Sequence, residues 1–398
     1  MITFFQKCDA VLRSLFPKYT VLLTVLIAVC FVWYKQPSII LFLLILLVLV
    51  FVHELGHFVV AKWTGMRVDE FAFGFPPRIW SKKVGETTYA VNALPLGGYV
   101  SIWGENGEPN DQAKTDPRAF GNRPWWAQLA TLVAGVVMNM LLALVIFIML
   151  SYGTVLVSPE DPQFGPRVTD PVLVVRDSQV EGPAYKAGVV PRSTIHTITS
   201  KGQKASLTSA TSAVAFIERH SNDPITLTYT DPTGALASTT IAAVYGIVPD
   251  KKVIGLSFEI RGTVETSLLD AIILGARKTY VITTMTLSGL GGLIASIGQG
   301  ESVINSLSGP WGVAKIVGET TEYGYEAVLT LVAFLSINLA IFNILPIPAL
   351  DGGRMLVVLG ETISRRKFPM KWMMAINSIS FLLLILLLVV VTIKDIFI

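Results

Sequence analysis

Charged residues are scarce in this chain of 398 residues. Asp, Glu, Lys and Arg together make up 15% of the sequence, whereas a typical soluble domain carries about 25%. Apolar residues make up 52%, and the mean hydropathy is +0.60. The formal net charge of +3 is small and dispersed, which argues against a nucleic-acid-binding protein. These values exclude a disordered chain and favour a membrane protein with a smaller soluble part.

Cysteine and histidine are also rare. The two cysteines, Cys8 and Cys30, lie in or near the first apolar segment. They therefore cannot form a disulfide framework in an extracytoplasmic domain. The chain has four histidines, and two of them, His53 and His57, are four residues apart within an apolar run.

Several segments approach the length of about 20 apolar residues that a membrane-spanning helix needs. They are residues 19–34, 39–61, 127–150, 327–345 and 373–393. The first is short and follows basic residues, as in a signal peptide, but no cleavage site of small residues follows it. We interpret it as a retained helix in an extra N-terminal segment, residues 1–37. A weaker apolar stretch at 273–297 is broken by Gly289, Gly291 and Gly292 and predicts an amphipathic helix on the membrane surface, within a region at 263–324.

The distribution of Lys and Arg predicts the orientation in the membrane. The loops richest in these residues are 62–83, 118–123 and 354–371. Short loops with an excess of Lys and Arg remain in the cytoplasm, so the segment from about 151 to 325 is expected outside.

Two regions differ from the helical pattern. Residues 67–103 predict strands joined by turns, with a hairpin tip at 82–86. Such a hairpin can lie at membrane depth only where protein or an aqueous cavity shields its backbone. In residues 168–262 the apolar runs shorten, which predicts a small α+β domain inserted between membrane helices.

The central motif is HELGH at residues 53–57. Histidines at i and i+4 share one helical face, which suits two imidazole ligands of one Zn²⁺ ion. Glu54 is adjacent and can transfer protons during hydrolysis. A charged group at the centre of a bilayer costs about 2.5–3.5 kcal/mol on insertion scales, so three ionisable residues in an aliphatic run indicate a function.

A catalytic zinc site has three protein ligands and an open fourth position, so a third ligand is needed besides His53 and His57. Asp351 is the candidate, in the segment NILPIPALDGG at 343–353. The prolines end a helix there, and the paired glycines allow a sharp turn. Asn343 could bind the substrate backbone or form a hydrogen bond between helices.

These motifs resemble those of the site-2 protease family of intramembrane zinc proteases, of the bacterial sigma-E regulator protease type. The resemblance extends over about residues 38–395. It includes FAFGF at 71–75, like the family's membrane-reentrant hairpin, LPLGGYV at 94–100, like its substrate-edge strand, and AGVVMN at 134–139. The segment EGPAYKAGVV at 181–190 resembles the carboxylate-binding segment of a PDZ domain.

The resemblance implies a mainly α fold: a polytopic membrane helix bundle with a membrane-reentrant β-hairpin and an inserted α+β PDZ-like domain. The protease core would consist of residues 38–150 and 325–398. His53, His57 and Asp351 would bind Zn²⁺, and Glu54 would be catalytic. Gly97, Gly98 and Tyr99 would pair with an unwound substrate, with Asn343 on the other side.

The resemblance also implies the partners and the location. Substrates would be single-span membrane proteins in the lipid bilayer, such as anti-sigma factors after a first cleavage, or signal-peptide remnants. The protein would be a multi-pass protein of the bacterial inner membrane, with the active site near the cytoplasmic side and the PDZ-like domain outside.

Two other functions would use part of the same sequence features. A membrane-bound binding protein would recruit partners through the PDZ-like domain and keep only a structural zinc site, but degenerate members of this kind should lack Glu54 or a ligand. A metal transporter would need polar residues lining a path through several helices, and the last apolar segment has none.

Overall fold

The computed structural model describes residues 37–105, 115–179, 182–248, 251–299 and 307–397. The predicted first span at 19–34 and Glu181 of the PDZ-like segment lie outside these residues. In the described chain the helices are α1 Pro37–Trp63, α2 Trp125–Met149, α3 Pro183–Lys186, α4 Ala210–Arg219, α5 Leu268–Gly298, α6 Pro310–Thr321, α7 Tyr325–Ile344, α8 Asp351–Ser364 and α9 Met370–Phe397.

Five of these helices are long and apolar enough to cross a membrane: α1, α2, α5, α7 and most of α9. Four of them coincide with predicted spans. The protein is therefore a multi-pass membrane protein. Helix α5 covers the weaker stretch and continues through Gly289, Gly291 and Gly292. Its position on the membrane surface stays a prediction.

The chain forms two compact units. Of the described residues, the first contains those within 37–147, 275–321 and 328–397, and the second contains those within 148–274 and 322–327. In the first unit, α1 packs on α6 through Ile45, Leu49 and Val317.

A long β-hairpin follows α1. Strand β1 spans Val68–Val84 and strand β2 spans Thr87–Ile102. In its first half β1 alternates buried and half-buried residues, as expected for a strand with one face against protein. This half lies between two segments of β2, because Phe73 has both Gly98 and Val91 as partners. The segment around Gly98–Ile102 therefore has β1 on one side and an edge without a described strand on the other.

The second unit is an α+β domain. Its strands are β3 Gly153–Val157, β4 Thr169–Ser178, β5 Thr194–Ser200, β6 Gln203–Lys204, β7 Ile225–Thr230, β8 Leu236–Ile241, β9 Val244–Val248, β10 Lys251–Val253 and β11 Leu256–Thr266. The main sheet has the order β3-β11-β4-β5-β7-β8, with β6 beside β5. Because Gly153 pairs with Thr266, the two ends of the domain lie side by side.

Candidate active site

Helix α1 brings the two histidines of the HELGH motif together. Their spacing of four residues stacks them on one face, and their Nε2 atoms are 3.1 Å apart. Both side chains are buried. The two imidazoles therefore face the same point at the buried side of the helix.

Asp351 reaches this point from the other end of the sequence. The chain leaves α7, turns through Pro346 and Pro348, and starts α8 at Asp351. Only glycine fits in this turn, because a Cβ atom on Gly352 would lie 2.2 Å from the carbonyl oxygen of Leu345. The absence of a side chain lets the two backbone segments approach closely. As a result, Oδ2 of Asp351 lies 2.9 Å from Nε2 of His53 and 3.3 Å from Nε2 of His57.

The geometry of these three residues fits a zinc ion. Zinc bonds of about 2.0–2.2 Å in a tetrahedron separate the ligand atoms by roughly 3.4 Å. One ligand atom from each of His53, His57 and Asp351 lies within 4.8 Å of the other two. Two nitrogens and one carboxylate oxygen are donors that zinc prefers, and three protein ligands leave a fourth position for chemistry.

Helix α2 closes one side of the histidine pair. A Cβ atom on Gly135 would lie 2.6 Å from Cε1 of His53 and 2.6 Å from Nε2 of His57. Real Cβ atoms do not approach other atoms so closely, so only glycine fits here. The absence of a side chain at this position leaves the space that the imidazoles occupy.

The same helix contacts the outer nitrogen of each imidazole. Nδ1 of His57 donates a hydrogen bond of 2.7 Å to the carbonyl oxygen of Thr131. Because a carbonyl oxygen only accepts, Nδ1 carries the proton and Nε2 keeps its lone pair for a metal. The side-chain amide of Asn139 lies 3.3 Å from Nδ1 of His53.

Glu54 is held by the hairpin. Its Oε2 atom accepts a hydrogen bond of 3.0 Å from the backbone N–H of Val100. Gly98 is close as well, since a Cβ atom at that position would lie 3.9 Å from Cγ of Glu54. The strand segment that resembles a substrate edge therefore touches the residue next to the metal ligands.

The other residues predicted to bind substrate have defined surroundings. Gly97 has a φ angle of +144°, which only glycine adopts readily. Tyr99 donates a hydrogen bond of 2.8 Å to Glu70 and stacks on Phe75. This side chain supports the hairpin from within.

Asn343 is not joined to the three ligands. It lies in the last turn of α7, half-buried, and no hydrogen bond links its side chain to the described residues. Both interpretations of Asn343 stay predictions.

The AGVVMN motif of α2 contributed to the family resemblance, but no role at the zinc site was predicted for Thr131, Gly135 or Asn139. Thr131 acts through its backbone, which has no sequence signal. Gly135 and Asn139 lie one turn apart in an apolar helix. A polar residue such as Asn139 in that helix indicates a buried hydrogen bond, and this was the signal that could have located the contact. A second missed contact is the ion pair of Arg354, in the first turn of α8, with Glu105 just after β2.

Comparison with known proteins gives the same assignment. The sequence model of Peptidase family M50 matches residues 41–387. A Clostridium perfringens protein, provisionally named a zinc metalloprotease, is 32% identical over 357 residues, which cover 87% of this chain and 95% of the relative. The zinc metalloprotease RasP of Geobacillus kaustophilus is 31% identical, covering 90% of this chain and 97% of the relative.

The regulator of sigma-W protease RasP of Bacillus subtilis is similarly close, with 29% identity covering 90% of this chain and 98% of the relative. The match of the family model extends over both the HELGH helix and the segment of Asp351. The chain therefore belongs to peptidase family M50, the site-2 protease family, and is a zinc metalloprotease.

Proposed function

We propose that this zinc metalloprotease is an intramembrane endopeptidase, which cleaves the transmembrane segments of single-span membrane proteins during regulated intramembrane proteolysis. The observation that carries the proposal is the convergence of His53, His57 and Asp351 on helices of a multi-pass protein, with Glu54 adjacent. The names of the RasP relatives, which refer to zinc proteolysis and sigma-W regulation, agree with it.

Each residue has a distinct task in this proposal. His53, His57 and Asp351 hold Zn²⁺, which polarises the scissile carbonyl and activates water when bound. Glu54 takes the proton from the attacking water and gives it to the leaving amine. The N–H of Val100 orients the Glu54 carboxylate for this transfer. The metal ligands and the proton carrier thus come from α1 and α8, and β2 orients the proton carrier.

The substrate must present an extended stretch, because a helix hides its peptide groups by internal hydrogen bonds. Residues 97–100 form an edge with no described strand beside it, and an unwound substrate can add a strand there. This would place the scissile bond beside Glu54. Gly97, Gly98 and Tyr99 act through their backbone in this pairing, and Asn343 holds the opposite side. The hairpin then lies in the membrane as a reentrant element.

The location follows from the distribution of basic residues. We place the protein in the bacterial inner membrane, with the active site near the cytoplasmic side and the PDZ-like domain, residues 168–262, outside. Substrates are anti-sigma factors after a first cleavage, or signal-peptide remnants. The PDZ-like domain acts mainly as a size filter that excludes substrates with bulky ectodomains.

The test compares the wild type with Glu54→Gln in proteoliposomes that contain a single-span substrate. Gln keeps the shape of the side chain and can still meet the N–H of Val100, but it cannot carry the proton. Cleavage should fall at least 1,000-fold, near the upper part of the range for general acid–base catalysis of about 10²–10⁴. Zinc content should stay at one ion per chain.

The matched control is Glu86→Gln, which changes an exposed carboxylate at the tip of the hairpin, where it pairs with Lys62 and Arg118. It should retain cleavage within about tenfold, since only exposed ion pairs are weakened. If Glu54→Gln loses zinc, the proton-transfer role is wrong. If Glu54→Gln cleaves like the wild type, or if the wild type binds zinc and cuts no transmembrane segment, the proposed function fails.

A further inference from the structure

The two imidazoles of the zinc site are supported in different ways. Nδ1 of His57 faces a backbone carbonyl oxygen, which fixes its proton. Nδ1 of His53 faces the side-chain amide of Asn139 at 3.3 Å, and its Nε2 faces Asp351. An amide can either donate or accept, so the tautomer of His53 depends on how Asn139 is turned.

The amide of Asn139 is deeply buried and only partly satisfied. Asn139 has no solvent exposure, and its Oδ1 atom has no hydrogen-bond partner in the described chain. The oxygen and nitrogen of an amide are assigned from their partners, and turning the group by 180° exchanges them. After that turn, Oδ1 faces Nδ1 of His53 and can accept its proton.

We propose that Asn139 is a positioning residue that holds His53 in the tautomer with the proton on Nδ1, so that the lone pair of Nε2 is free for zinc. Without an acceptor at Nδ1, the proton moves to Nε2, where Asp351 accepts it at 2.9 Å. In that tautomer Nε2 cannot bind a metal. Asn139 therefore favours the metal-binding form of the site over a hydrogen-bonded form without metal.

The backbone of Asn139 lies within the long helix α2, Trp125–Met149. Ser336 on α7 donates a hydrogen bond of 2.8 Å to the carbonyl oxygen of Asn139. Gly135, one turn earlier on α2, lets the helix lie against both imidazoles. Turning the amide about the Cβ–Cγ bond exchanges Oδ1 and Nδ2 and leaves the backbone of the residue in place.

The test measures zinc affinity, by competition with a chromophoric chelator, in the purified full-length protein in detergent. Asn139→Leu keeps the volume and removes the acceptor, and its zinc dissociation constant should rise about 10–100-fold, as for other lost outer-shell partners. Asn139→Asp keeps an acceptor oxygen and should stay within about threefold of the wild type. Ser336→Ala, the matched control, loses a contact of the same residue without changing the amide, and it should also stay within about threefold.

Three results would overturn the proposal. The first is wild-type zinc affinity in Asn139→Leu. The second is an equal loss in Asn139→Leu and Asn139→Asp, because shape and not the acceptor would then matter. The third is an equal loss in Ser336→Ala, which would assign the effect to helix packing. If Asn139→Leu is not recovered folded, Asn139→Ala replaces it with the same expected loss. Since the readout is metal binding, the result does not depend on which substrates the enzyme cleaves.

Discussion

Replacing Gly135 by alanine should damage the zinc site although alanine is a better helix former. In an exposed helix this change gains about 1 kcal/mol. Here the new Cβ atom would lie 2.6 Å from Cε1 of His53 and 2.6 Å from Nε2 of His57, whereas ordinary contacts begin at 3.4 Å. The imidazoles or helix α2 must therefore move by about 0.8 Å, the difference between these distances. Zinc–ligand distances tolerate only about ±0.2 Å.

The expected effects on stability and on metal binding follow from this displacement. Overpacking of a tight core costs about 1–3 kcal/mol, so the variant should lose up to about 2 kcal/mol of unfolding free energy after the gain in helix propensity. The zinc dissociation constant should rise at least tenfold, comparable to the loss of an outer-shell partner. Chelator competition measures the affinity, and thermal unfolding in detergent measures the stability.

Gly360→Ala is the matched control. Gly360 lies in α8, the helix that begins at Asp351, and nothing lies within 4 Å of a Cβ atom there. This variant should bind zinc like the wild type and be up to about 1 kcal/mol more stable. If Gly135→Ala matches it in zinc affinity and stability, the close packing of α2 against the histidines does not constrain the metal site.

Three further predictions concern the ligands, the edge strand and the inserted domain. His53→Ala, His57→Ala and Asp351→Ala should each lose zinc and cleavage, because no fourth protein ligand among the described residues can replace the one removed. Stoichiometric zinc in any variant would show that the replaced residue is not a ligand. Gly98→Ala should slow cleavage and keep zinc, because its Cβ atom meets the carbonyl oxygen of Ala72 at 2.8 Å and displaces the strand that holds Glu54; unchanged turnover would contradict this. Replacing residues 154–265 by a short Gly/Ser bridge between the paired residues 153 and 266 should allow cleavage of substrates with intact ectodomains; selective loss of trimmed substrates would indicate recruitment instead.

The sequence predicted that His53, His57 and Asp351 lie together, because each of them has a strong local signal. Spacing of four residues places His53 and His57 on one helical face in any helix. Asp351 was identifiable because the prolines and glycines around it end one helix and start another beside an isolated carboxylate. The proximity of residues 298 positions apart followed from the coordination number of zinc.

The supporting contacts could not be predicted, because they depend on distances between helices and strands. Gly135 resembles any small residue in a membrane helix until its contact with the imidazoles is seen. The N–H of Val100 belongs to the backbone, so no residue type marks it. The two-sided pairing of β1 also has no local signal, since alternation specifies which face is buried and not which strand lies beside it.

The contacts between α1 and α2 have a consequence for the synthesis of the protein. Helix α1 brings His53, Glu54 and His57 into a span that is otherwise apolar, and burial of such groups in lipid is unfavourable. The carbonyl of Thr131 and the amide of Asn139, which satisfy the outer imidazole nitrogens, are both on α2. We therefore expect α1 to become more stable in the bilayer once α2, which begins about 60 residues after the end of α1, packs against it.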